Sequence, residues 1–253
     1  MILDLFELQG RVAIVTGCNT GLGQGMARAL AQAGADIVGI NVTESTETAE
    51  QVRSFGRQFL DLRANLGGID GIEALVQQAL GLAGHVDILV NNAGIIRRED
   101  ALSFTEKDWD DVIDINLKSV FFFSQAVARQ FIAQKTGGKI INIGSMLSFQ
   151  GGVRVPSYTA SKSGVMGITR LMANEWAAHG INVNAIAPGY MATDNTAALR
   201  ADESRNSSIL ERIPAGRWGT ADDLAGPVVF FASGASDYVN GYTVAVDGGW
   251  LAR

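Results

Sequence analysis

Seven short apolar runs punctuate this chain, and helix-length segments lie between them. The runs are residues 11–16, 36–41, 57–61, 86–90, 139–143, 181–186 and 242–246. Several are continuously apolar rather than alternating, as in Val12-Ala13-Ile14-Val15 and Ile140-Ile141. Continuous runs predict strands buried on both faces, as in a parallel sheet covered by helices. Segments 22–33, 70–83, 106–134 and 157–178 have the length and spacing of such helices. This alternation predicts an α/β fold, a single-domain, doubly wound, Rossmann-like sheet. A chain of 253 residues, 47% hydrophobic, suffices for one large core of that kind. No repeat, low-complexity tract or linker interrupts it. Residues 190–214, with Asn195, Asp202, Asn206 and Ser207-Ser208 before Pro214, are the least regular, and are expected to form an irregular substrate loop or lid.

The first run leads into Thr16-Gly17-Cys18-Asn19-Thr20-Gly21-Leu22-Gly23, and helical spacing follows to Ala33. Glycines there allow a sharp turn and let a pyrophosphate approach main-chain N–H groups. The helix N-terminus adds partial positive charge. The spacing is Gly-x-x-x-Gly-x-Gly, which differs from the commoner Gly-x-Gly-x-x-Gly fingerprint. The second strand ends at Asn41, where a carboxylate would meet a ribose 2′-hydroxyl and a nearby Arg a 2′-phosphate. Thr20 and Asn41-Val42-Thr43-Glu44 offer no cation. The expectation is NAD in preference to NADP.

Tyr158 and Lys162 are four residues apart, and Ser145 lies thirteen residues before Tyr158. On a helix, an i, i+4 pair shares one face. A free phenol, with a pKa of about 10, is a poor base at neutral pH, and a neighbouring cation favours its ionised form. A serine hydroxyl beside it can hold a substrate oxygen. The trio suits interconversion of an alcohol and a carbonyl.

Composition removes other classes. Twenty basic against 26 acidic residues give a net charge of −6, which argues against a nucleic-acid partner. No apolar run is long enough to span a bilayer. The first residues lack the basic and apolar pattern of a secretory signal. Cys18 is the single cysteine, in keeping with a reducing cytoplasm. His85 and His179 are the only histidines, too few for a His-rich metal site, and no metal is expected.

Gly17-x-x-x-Gly21-x-Gly23, Asn91-Asn92-Ala93-Gly94, Asn116, Ser145, Tyr158-x-x-x-Lys162 and Pro188-Gly189 occur in that order. In this ordered set, essentially the whole chain resembles a classical short-chain dehydrogenase/reductase. The resemblance implies a seven-stranded parallel sheet and a homotetramer. It implies that Tyr158 is the general acid/base, Lys162 its pKa-lowering partner and ribose contact, Ser145 the substrate anchor, and Asn116 the holder of a proton-relay water. For the cofactor it implies Gly17, Asn19, Thr20, Gly21, Leu22 and Gly23 at the phosphates, with Asn41 at the ribose. Asp61 and Leu62 would lie at the adenine, and Asn92, Ala93 and Gly94 along the adenosine side. Pro188, Gly189, Met191 and Thr193 would lie around the nicotinamide, with Tyr158 and Lys162.

Segments 91–100, 145–152, 213–219 and 246–251 are similar to those of family members that oxidise a sugar acid with NAD in bacterial pectin and uronate breakdown. A sugar acid carries a carboxylate, and Arg97, Arg98 and Arg154 fall near predicted strand ends where such ligands bind. Gln150 and Ser148 are candidates for its hydroxyls. Two rivals remain at this point. One is a broader carbonyl or steroid reductase with a pocket of Met146, Phe149, Met191 and Trp218. The other is a nucleotide-binding regulator without chemistry. Surplus apolar residues in 106–134 and 157–178, such as Phe121, Phe122 and Leu171, are candidates for a subunit interface.

Overall fold

The computed structural model describes residues Met1–Arg253. Its strands are β1 (Val12–Thr16), β2 (Asp36–Asn41), β3 (Phe59–Arg63), β4 (Ile88–Asn91), β5 (Gly138–Ile143), β6 (Ile181–Pro188) and β7 (Thr243–Val246). They form one seven-stranded sheet in the order β3-β2-β1-β4-β5-β6-β7, every pair parallel. The doubly wound sheet expected from the apolar runs is present. The order reverses between β1 and β4, and ligands of such sheets bind beyond the carboxyl ends of the strands at that point.

Alternate residues of each strand face opposite layers. Ala13, Val15, Ile37, Val90, Ile141 and Ile186 pack with Met26 and Leu30 of α1 (Gly21–Gln32), Val52 of α2 (Thr46–Ser54), and Val228 and Phe231 of α9 (Ala225–Ala232). Val12, Ile14, Val38, Leu89, Ile140 and Val183 face the other way. They meet Leu75 of α3 (Ile72–Leu80), Phe123 and Phe131 of α5 (Ser119–Gln134), and Met172 of α6 (Pro156–Trp176). Burying one such Phe contributes roughly 1.5–3 kcal/mol.

Three expectations need correction. The segment 106–134 is not one regular helix. It is α4 (Glu106–Ile113), a π turn at Asp114–Lys118, then α5. Residues 190–214 are not irregular either; they carry α7 (Ala197–Ala201) and α8 (Glu203–Arg212). Asp202 caps α8 by accepting from the Arg205 N–H, and of α8 only Ile209 is buried, so the polar composition that suggests a loop belongs to an exposed helix. Finally, β7 is apolar in sequence but half-exposed at the sheet edge, with Ala245 open to solvent.

Candidate active site

The phosphate loop leaves β1 at Thr16. Gly17 and Gly21 have φ of +65° and +59°, values that strain any side-chain-bearing residue. A Cβ on Gly23 would stand 2.1 Å from the Gly17 carbonyl oxygen, so only glycine lets the helix start this close to the turn. Asn92 Nδ2 donates to the carbonyls of Thr16 (2.9 Å) and Gly17 (2.8 Å). The Thr16 hydroxyl accepts from the N–H groups of Asn92 and Ala93, both at 3.0 Å. The Asn92–Gly94 turn therefore shapes the loop from below. No side chain caps the N-terminus of α1. Open backbone N–H groups at a bare helix end, beside glycines, fit a pyrophosphate. Cys18 is wholly buried behind the loop, where burial pushes its thiol up to about 11.

Asn41 stands at the β2 exit. It is buried and serves as a brace: Oδ1 accepts from the Asn19 N–H at 3.1 Å, and Nδ2 donates to Ser45 Oγ at 2.6 Å and Asp61 Oδ1 at 3.4 Å. Asp61 Oδ2 accepts from the Ser45 N–H at 3.2 Å, so the carboxylate expected at the adenine also belongs to this brace. The Leu62 side chain is in the core. Asn19 Nδ2 donates to Thr43 Oγ1 at 2.8 Å, which ties the phosphate loop to the chain beyond β2. The absence of a cation, expected from residues 41–44, fails. The β2–β3 register sets Arg63 beside Asn41, and Arg63 pairs with Glu44 at 2.8 Å. Only the pairing of two strands reveals this contact, since Arg63 lies 22 residues beyond Asn41 in the chain.

Ser145 follows β5 at the carboxyl edge and opens a 3₁₀ turn, Met146–Ser148, with Oγ accepting from the Leu147 N–H at 3.2 Å. Ser148 is not free for a ligand; its hydroxyl donates to the Lys162 carbonyl at 2.6 Å, locking the serine turn to α6. Pro156, tolerated where the helix needs no N–H donor, starts α6. Tyr158 and Lys162 share one face: the ammonium nitrogen lies 5.6 Å from the phenol ring centroid and donates to the Ile143 carbonyl at 2.7 Å. Burial raises the phenol above its ordinary value, while interaction with the Ser145 hydroxyl and the positive charge of Arg98 oppose that rise. Burial lowers Lys162 to about 8, which leaves it charged at neutral pH.

Asn116 sits in the π turn, wholly buried. Its Oδ1 accepts from the Ile95 N–H, and its Nδ2 donates to the Ile95 carbonyl, both at 2.9 Å, and to Ser161 Oγ at 3.4 Å. Both side-chain N–H groups are thus taken, and the side chain clamps the segment after β4 to α6. π turns widen helices and often mark functional sites.

The three candidate arginines separate. Arg97 turns to α4, meeting Asp108 at 3.5 Å and Asp111 at 3.6 Å. Arg154 pairs with Glu99 at 3.4 Å and Asp100 at 3.5 Å. Arg98 makes no ion pair, donates to the Asn195 carbonyl at 3.2 Å, and is the charge felt at Tyr158. Gln150 has its acceptor occupied by Trp250 Nε1 at 3.2 Å. The Met191 side chain is buried in the core, so only its backbone remains for a cofactor. Thr193 is held at its N–H by Thr196 Oγ1, at 3.1 Å. Gly189 is forced by close approach, since a Cβ would lie 2.6 Å from Asp247.

Trp250 belongs to the 246–251 segment, whose sequence gives no packing partner for it. It joins Met146, Ile209 and Ile213 in a small buried cluster against Tyr190 and Trp218, the Arg212 guanidinium 4.0 Å over its ring. Of the four residues proposed for an apolar ketone pocket, Met146 and Met191 are therefore buried and Trp218 is tied to Asn206; Phe149 alone is exposed.

A family model described as short chain dehydrogenase matches residues 11–204. Over 253 residues the chain is 74% identical to the 2-dehydro-3-deoxy-D-gluconate 5-dehydrogenase of Escherichia coli, covering 100% of both chains. A solved protein from Agrobacterium tumefaciens, assigned as a 2-deoxy-D-gluconate 3-dehydrogenase and carrying NADP, is 53% identical with a TM-score of 0.92, covering 99% of this chain and 100% of that one. A gluconate 5-dehydrogenase from Burkholderia cenocepacia, in complex with NADP and tartrate, is 40% identical with a TM-score of 0.95 over 100% of both chains. A likeness this close, running unbroken from the glycine loop through α6, makes the chain a member of the short-chain dehydrogenase family of oxidoreductases.

Proposed function

We propose that this enzyme oxidises a secondary alcohol of a sugar acid, of the 2-dehydro-3-deoxy-D-gluconate type, with NAD in preference to NADP. The observation that carries the substrate class is Arg98: the one candidate arginine without a carboxylate partner is the one whose charge reaches Tyr158. An Arg fork suits a carboxylate, and a carboxylate drawn there would bring its sugar hydroxyls to the phenol. The relatives named for sugar-acid substrates support the same reading. Pectin and uronate breakdown in the cytoplasm is the corresponding setting.

The dinucleotide would be held by the Gly17–Gly23 loop, the α1 N-terminus and the Asn92–Gly94 turn, with Pro188, Gly189 and Thr193 on the nicotinamide side. When bound, the nicotinamide supplies the hydride acceptor. Ser145 holds the reacting oxygen beside the phenol. Tyr158 takes the hydroxyl proton as the carbinol carbon becomes a carbonyl; positioned base catalysis of this kind contributes about 10²- to 10⁴-fold. Lys162, charged at neutral pH, favours the phenolate.

A panel of C6 sugar acids and apolar ketones, each with NAD and NADP, tests this by absorbance of the reduced cofactor. Turnover should require the sugar acid, and Arg98→Gln should raise its KM by about 10- to 100-fold, the scale of one charge-assisted contact. Preference for apolar ketones, or no turnover with any substrate, would overturn the reading.

Self-association is part of the proposal. Trp109, Ile132 and Leu171 are exposed on α4, α5 and α6. Tyr242 is exposed beside an apolar surface cavity of about 420 Å³ between α9 and β7. Two separate apolar faces suit a tetramer, and light scattering measures its mass.

A further inference from the structure

We propose that the Glu44–Arg63 ion pair is the gate that selects between the two dinucleotides: Arg63 is the cation a 2′-phosphate would take, and Glu44 withholds it. The proposal rests on the dinucleotide reading above and adds the residues that set its specificity.

Position comes first. The β2–β3 register places Arg63 directly beside Asn41, at the carboxyl end of β2 where the ribose of a dinucleotide lies in such sheets. The phosphate loop is joined to this same corner through Asn19, bonded to Asn41 and to Thr43. Glu44 follows Thr43 directly, so the loop, the β2 exit and the ion pair form one surface. Arg63 Nη2 lies 2.8 Å from Glu44 Oε1, and Arg63 Nε lies 4.0 Å from Asp61 Oδ2.

Chemistry comes second. Side chains at this ribose position usually discriminate by capture, a carboxylate accepting from the 2′-hydroxyl. Here capture is weak. The Asn41 amide is buried and fully engaged with Asn19, Ser45 and Asp61. Discrimination falls instead to the two carboxylates around Arg63, which neutralise it and repel a phosphate dianion. The pair is open to solvent, with 47% of the Arg63 side chain and 74% of the Glu44 side chain exposed. A pair so exposed is weakly held, and a phosphate is a stronger partner for a guanidinium fork than one carboxylate. Loss of the Glu44 charge acts twice: it frees Arg63 and removes the nearest repulsion. This predicts a graded preference for NAD rather than exclusion of NADP.

The test is isothermal titration of NAD, NADP and adenosine 2′-monophosphate into the wild-type protein, Glu44→Gln, and the double variant Glu44→Gln/Arg63→Gln, each checked for an unchanged thermal midpoint. Glu44→Gln should raise the ratio of NADP to NAD affinity about tenfold, the scale of one charge interaction near a surface. It should tighten the 2′-monophosphate by a similar factor. The double variant should lose both gains. Added salt should shrink the gain, as expected for exposed charges. An unchanged ratio in Glu44→Gln, or a gain that survives in the double variant, would overturn the gate. Failure of the underlying reading has a different signature, since neither dinucleotide would then bind the wild-type protein.

Discussion

The two sides of the candidate site are held by different forces. On the cofactor side, directional hydrogen bonds fix the backbone: Asn92 grips the Thr16 and Gly17 carbonyls, and Asn41 grips the Asn19 N–H. On the substrate side, aromatic packing prevails. Tyr190 lies 5.4 Å from the Trp218 ring and 4.8 Å from that of Trp250, and Ile209 and Ile213 close the cluster. Hydrogen bonds to buried backbone fix one geometry and are costly to lose. Apolar clusters tolerate changes that conserve volume. The cofactor side is therefore built for a constant ligand, and the substrate side can be re-cut for another without disturbing the loop.

Substitution at the junction of the two sides gives the largest effect. Tyr158→Phe removes the proposed proton acceptor and should lower kcat by about 10²- to 10⁴-fold. Affinity for the dinucleotide should change little, as read by cofactor fluorescence. Near-wild-type turnover would remove Tyr158 from the chemistry. Next is Gly23→Ala, on the cofactor side. The added methyl meets the Gly17 carbonyl at 2.1 Å and Asn92 Nδ2 at 2.4 Å, atoms that are backbone or bonded to it. The cost should be about 1–3 kcal/mol in stability, with dinucleotide affinity lost. Retained affinity would show that the loop is softer than its bonds imply.

Lys162 gives a smaller effect with a definite sign. Its folded value is about 8 and its ordinary one 10.5. Between those pH values the unfolded chain holds a proton that the folded one has released, so stability rises with pH across the window. The gain is of the order of 2–3 kcal/mol by pH 10.5. Tyr158 is shifted upward and works in the opposite sense above pH 10, and Cys18, pushed up to about 11, does so above pH 9, so urea titrations from pH 8 to 9 isolate the lysine. Lys162→Met should flatten that slope.

How far the sequence reveals this molecule follows the same division. Strand positions and the glycine loop are legible because they depend on local pattern: β2 spans 36–41 as read from the chain, and Gly17 and Gly21 have the positive φ that glycine permits. The shared face of Tyr158 and Lys162 follows from helical spacing alone. Partner choice is not legible. Three arginines look equivalent in sequence, and only the fold shows that Arg97 and Arg154 already face carboxylates. Arg63 reaches Asn41 through strand register, and Trp250 reaches Gln150 across 100 positions of chain. Asn116 is legible as a residue of interest, but not as a clamp, because the π turn that aims it has no local signature here.

The smallest effect tests the comparison from the substrate side. Trp250→Phe keeps most of the ring volume and removes one hydrogen bond, Nε1 to Gln150, with part of the Arg212 stacking. A net loss of about 0.5–1.5 kcal/mol in stability follows from one such bond. Since Trp250 touches the cluster that joins Met146 to α8, a loosened α8 should raise the substrate KM a few-fold, with kcat and dinucleotide affinity almost unmoved. If KM for substrate and for cofactor rise together instead, packing and hydrogen bonding are not separable here, and the two sides of the site behave as one body.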